Sequence, residues 1–106
     1  MSLQDPGLLQ EAIIRALKEV YDPEIPVDIY ELGLIYHIEV NPAGEVKIVM
    51  TMTSAFCPAA QHLPEDVRKA VENVPGVKRV EVEVTFDPPW EMSRMSETAR
   101  VQLGLL

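Results

Sequence analysis

A chain of 106 residues, 47% hydrophobic and 25% charged, suits one globular domain and leaves no room for two, so residues 1–106 are read as a single unit. Nine Lys and Arg against seventeen Asp and Glu give a net charge of −8, which repels phosphate backbones and anionic headgroups; neither nucleic acid nor a membrane surface is an expected partner. The opening MSLQDPG lacks the basic and long apolar regions of a secretion signal, no apolar run is long enough for a bilayer, and one cysteine forms no internal disulfide, so the expected location is cytoplasmic.

In chain order, Asp5-Pro6 reads as an N-cap followed by proline at the first helical position. Leu9, Ala12, Ile13, Ala16, Leu17 and Val20 keep helical spacing, which predicts a helix to about Tyr21, ended by Asp22-Pro23. The following DPEIPVDIYEL carries two prolines and four carboxylates (Asp22, Glu24, Asp28, Glu31) and reads as a stiff acidic loop. Such a run is more often a solvated surface than a metal site. Leu34, Tyr36, Ile38 and Val40 then alternate with Ile35, His37 and Glu39 as a strand. After the turn Asn41-Pro42-Ala43-Gly44, alternation resumes from Val46 to Thr53, predicting an antiparallel hairpin.

A second amphipathic helix is marked by Leu63, Val67, Ala70, Val71 and Val74 and stopped by Pro75-Gly76. Pro64 either kinks it or leaves Pro58 to Leu63 as a separate turn. Val80, Val82, Val84 and Phe86 alternate with charged and hydroxyl residues as the third strand, parallel in direction to the second. The Pro-Pro-Trp segment suits neither helix nor central strand, and a short helix capped by Ser93 or Ser96 follows. The expected fold is α+β: a two-layer domain in the order α-β-β-α-β plus a short C-terminal helix, with a three-stranded sheet carrying two main helices on one face.

The only cysteine, Cys57, closes the stretch TMTSAFCP between second strand and second helix. With Pro58 at a first helical position, Cys57 would stand at or beside the N-cap, where unpaired N–H groups and the helix dipole favour a thiolate. The competing reading is a small buried hydrophobe. Thr53 and Ser54 are close enough in sequence to hydrogen-bond a bound group, whereas Thr51 reads as β-propensity on a solvated face. His62 lies five residues after Cys57, about 140° away around a helix, so a Cys–His metal pair has little support. Met50, Met52, Met92 and Met95 read as core filler, and Trp90 as a lid on the core.

Taken together, DPEIPVDIYELGLIY, TMTSAFCP, VEVTFDPPW and RMS with a closing LG resemble, in register from about Ile13 to Gly104, the PaaD/SufT-like family of iron–sulfur cluster assembly factors. The resemblance implies a small two-layer domain that matures iron–sulfur proteins, or assembles oxygenases, rather than an enzyme turning over metabolites. Its cysteine falls on Cys57, its acidic DxE motif on Asp22 and Glu24, and its hydroxyl pair on Thr53 and Ser54. It also implies partners: the iron–sulfur assembly machinery and client apoproteins.

Clusters are usually held by four thiolates and this chain owns one, so a monomer is not a stable cluster protein. One expectation is a delivery factor holding iron or a cluster transiently through Cys57, with a homodimer, small thiols or a client completing the ligand set. The alternative is a non-metal adaptor docking maturation partners through its acidic loop and Trp90 tail. A thiol enzyme with Asp22 or Glu24 as base ranks last, because a carboxylate is a poor base for a thiol.

Overall fold

The computed structural model describes residues 6–22, 25–53 and 62–104. Helix α1 spans Pro6–Leu17, and the Asp5 cap expected before it lies outside the described residues. Leu9, Ile13 and Leu17 fall on one stripe and are at most 1% exposed. Each such burial is worth about 1.5–3 kcal/mol. The helical pattern continues to Val20, yet α1 stops at Leu17. The Val20 carbonyl accepts the Ile29 N–H at 2.8 Å, and Tyr21 forms a β-bridge with Asp28. A contact with the following loop thus replaces the last helical turn.

Strand β1 (Ile35–Val40) pairs antiparallel with β2 (Glu45–Met50). Their turn is fixed by Asn41, whose Oδ1 accepts the N–H groups of Ala43 and Glu45, both at 3.0 Å. The register shifts between Ile35 and His37, so Ile35 pairs with Met50 and His37 with Val49. Tyr36 is the extra residue of this bulge and leaves the row of Ile38 and Val40 in which strict alternation would place it.

Helix α2 (Leu63–Glu72) answers the question that Pro64 poses. The helix begins at Leu63 with His62 as N-cap residue, so Pro64 sits in the first turn, where no backbone donor is needed. Leu63, Val67 and Val71 are fully buried. On the exposed side Arg68 bonds Glu65 and Glu72, and its hydrogen bond holds the Glu65 carboxyl below the ordinary carboxylate pKa.

Strand β3 (Arg79–Val84) runs parallel to β2 and lies beside it, giving the order β1-β2-β3. The central strand therefore contributes the deepest sheet residues: Val46, Ile48 and Met50 are at most 3% exposed. They share one core with the buried stripes of α1 and α2, which places both helices on the same face of the sheet. The last helix, α3 (Glu97–Gln102), is capped by Ser96, whose Oγ accepts the Ala99 N–H at 3.1 Å. Met50 and Met95 are buried and Met52 partly so, but Met92 is 57% exposed and fills no core. It belongs to the 3-10 turn Met92–Arg94, which buries none of its residues.

Residues 88–96 form a strap across residues 31–36. Trp90 Nε1 donates to the Leu32 carbonyl at 2.7 Å, and the Tyr36 hydroxyl donates to the Pro88 carbonyl at 2.8 Å. The Ser96 N–H reaches the Glu31 carbonyl at 2.8 Å, while its hydroxyl bonds the Glu31 carboxylate. Trp90 is half-buried against the core, as a lid. Between these bonds stands Gly33, with φ +82°; a Cβ there would lie 2.3 Å from the Arg94 carbonyl oxygen. Both backbone angle and space demand glycine. Replacing Gly33→Ala is expected to lower stability by at least about 1–3 kcal/mol, with the strap released. A wild-type urea midpoint for that variant would show that the close approach is not real.

Candidate functional site

Of the five residues expected at a site, Asp22 and Thr53 are described, whereas Glu24, Ser54 and Cys57 lie outside the described residues. So does the expected seat of Cys57 at a helix start; the described helix beyond it begins at Leu63.

In its described residues the acidic loop is not a solvated surface run. Val27, Ile29 and Leu32 are fully buried, and Asp22 and Asp28 are 4% and 8% exposed. Alternate apolar residues pull the loop into the core and take the short carboxylates with them. Asp28 acts as a local cap: its Oδ2 accepts the Glu31 N–H at 3.0 Å, and its carbonyl accepts the Leu32 N–H at 3.1 Å. The Asp28-x-x-Glu31 spacing was the signal for it in the sequence. Glu31 itself meets Lys18 at 3.6 Å and Ser96, so it ties α1 and the strap to the loop. Among the described residues, no group of three or more His, Cys, Asp and Glu side chains is placed to hold a metal ion.

A short series of backbone hydrogen bonds relates the loop to the exit of β2. The Ile29 N–H donates to Val20, the Leu34 N–H to Ile29 at 3.1 Å, and the Thr51 N–H to Leu34 at 2.8 Å. Three such steps span at most about 15 Å at the usual spacing of neighbouring strands. Leu34 and Thr51 stand at one end of the sheet, just before β1 and just after β2; Thr53 follows there, and Asp22 belongs to the loop tied to this end through Ile29. Thr85 joins them from β3, its N–H donating to Met50 at 2.8 Å. The exposed rings of Tyr21 and Phe86 flank this end.

The histidines take no part in it. His37 is exposed and bonded to Glu39 at 3.0 Å, and His62 is bonded to Asp66 one helical turn on.

Thr51 departs from its expected place on a solvated face. It lies past the last residue of β2, where strand alternation no longer sets exposure, and is fully buried. Its Oγ1 has no hydrogen-bond partner among the described residues. An unsatisfied buried hydroxyl costs about 1–3 kcal/mol, and valine has nearly the same shape. Thr51→Val is therefore expected to raise stability by up to that amount. A loss of stability in thermal or urea unfolding would show that the hydroxyl has a partner after all.

Comparison with known proteins places this end of the molecule in context. The family model described as iron–sulfur cluster assembly protein matches residues 10–84, which include all five expected site residues. An Fe-S protein maturation auxiliary factor of Porphyromonas gingivalis is 52% identical over 97 residues, covering 92% of each chain. Another Fe-S protein maturation auxiliary factor, YitW of Bacillus subtilis, is 42% identical over 97 residues, covering 92% of this chain and 95% of that one. The crystal structure of a domain of unknown function from Bacillus anthracis superposes with a TM-score of 0.88 at 38% identity, covering 99% of this chain and all of that one. The chain belongs to the iron–sulfur cluster assembly protein family.

Proposed function

We propose that the protein matures iron–sulfur proteins by holding iron or a cluster briefly on the Cys57 thiolate and passing it to client apoproteins. The observation that carries this reading is the 52% identity, over 92% of both chains, to a relative named as a maturation auxiliary factor. Ligand arithmetic supports the transient form. One thiolate out of four leaves the cargo exchangeable, with a second copy of the chain, small thiols or the client supplying the rest. Transfer is then ligand exchange without net redox change: each client thiol loses its proton as it binds the metal, and Cys57 regains one as it leaves. Thr53 and Ser54 hydrogen-bond the bound cargo, and the remaining protons released by the client thiols pass to water. On this reading the protein is a carrier in the cytoplasm, not an enzyme.

The adaptor reading draws less support from the tail. Trp90 donates to the Leu32 carbonyl and is half-buried against the core, so a stabilising role accounts for much of its ring.

Cys57 is the only thiol, so its alkylation rate against pH reads one group. A midpoint well below about 8.5 is expected for an activated thiolate. Anaerobic reconstitution with iron and sulfide should then give a labile visible chromophore that is absent from Cys57→Ser. Full client maturation by Cys57→Ser, in a strain lacking the wild-type protein, would overturn the proposal.

A further inference from the structure

Beneath the strap, and apart from the residues assigned above, is an open cavity of about 450 Å³ lined by Gly33, Ile35, Tyr36, Pro88 and Arg94. The Arg94 guanidinium lies over the Tyr36 ring, 4.7 Å from its centroid. In a chain with seventeen carboxylates, Arg94 makes no ion pair and no side-chain hydrogen bond among the described residues. Two other arginines are occupied: Arg68 binds two glutamates, and Arg100 donates to the Ser93 carbonyl at 3.1 Å. The N–H donors of Arg94 are open.

The arginine is also held in place. The ring beneath it is fixed by the Tyr36 hydroxyl on Pro88, and the Arg94 backbone N–H donates to the Glu91 carbonyl at 2.9 Å. Its carbonyl rests where a side chain at position 33 would otherwise stand. A guanidinium stacked on a ring keeps its edge free for a flat acceptor, and a preorganised fork loses little freedom on binding.

The geometry points to a binding site for an organic carboxylate bearing a small apolar group, with Arg94 as its anion receptor. A carboxylate matches the fork with two parallel hydrogen bonds, and its single charge is neutralised by one arginine. A phosphate dianion would be left half-neutralised in a chain of net charge −8. Ile35 and Pro88 supply apolar walls for the attached group, and Gly33 lets the Arg94 backbone close in beside them.

Trp90 is the only tryptophan, and its indole N–H bonds Leu32 next to Gly33, so its fluorescence reports on the site. Isobutyrate is expected to give a saturable change, tighter than acetate by several-fold, with none from inorganic phosphate. Arg94→Gln should weaken isobutyrate by about tenfold or more, the worth of a charge-assisted pair. Arg94→Lys should bind at intermediate strength, retaining the charge but not the fork. Both variants should keep the wild-type urea midpoint, and if Arg94→Gln does not fold, Arg94→Lys alone must still show the weakening. N-acetylglutamate amide, binding as well as isobutyrate, would identify the side chain of a protein partner as a source; weaker binding assigns the site to free acids. A non-saturating response, equal binding by Arg94→Gln or Arg94→Lys, or phosphate binding tighter than isobutyrate would overturn the inference. None of these readings depends on Cys57 or on cargo.

Discussion

The backbone of Leu34 is the junction on which the arrangement depends. Its N–H is given to Ile29 and its carbonyl to Thr51, so one residue joins the acidic loop to the exit of the central strand. The side chain is fully buried, and burial of that size is worth about 1.5–3 kcal/mol. The loop therefore does not swing away without losing both hydrogen bonds and the apolar contact. Next to it, Gly33 admits the carbonyl of Arg94. Three segments distant in sequence, the loop, the strand end and the strap, thus meet at two consecutive residues.

This meeting gives physical content to the pattern that first identified the chain. Its recognisable pieces look like separate signatures, but ELGLIY, DPPW and RMS are parts of one contact. Leu32 accepts from Trp90, Tyr36 donates to Pro88, and Ser96 closes on Glu31. A change in one piece would remove the partner of a group in another, at about 0.5–1.5 kcal/mol for each hydrogen bond lost. Those motifs are tied to one another by packing, not by chemistry at the cysteine, and so they speak first for the fold and only through it for the function.

What the sequence disclosed divides along the same line. Helix and strand periods are local, so α1, α2, the hairpin and β3 were legible in advance, and the cap of α3 was narrowed to Ser93 or Ser96, of which Ser96 is the one. The departures occur where a distant backbone group outweighs the local pattern. Ile29 ends α1 a turn early, the bulge moves Tyr36 out of its row, and Leu34 holds Thr51 in a buried position that alternation assigns to solvent. Pro64 was ambiguous for a related reason, since its effect depends on where the helix starts. The site was legible as residue types. That the loop carrying Asp22 is tied to the strand exit preceding Thr53 follows only from the run of hydrogen bonds through Ile29 and Leu34.

A frame tied this firmly has a bearing on the proposed handling of cargo. Four thiolates in one chain would keep a cluster, and retention is the opposite of delivery. With a single cysteine, the chain itself contributes little to affinity, so the remaining ligands decide who owns the cargo. Exchange then depends on how well the one ligand is presented, because each flexible group ordered at the moment of transfer costs about 0.5–1.5 kcal/mol. The residues bounding the described part of the site have that cost already met by the fold: Thr51 is bonded to Leu34, and Asp22 is buried beside a loop closed on Val20 and Asp28. On the proposed reading, few ligands and a stiff base are two aspects of one requirement: release of the cargo from a site that need not reorganise.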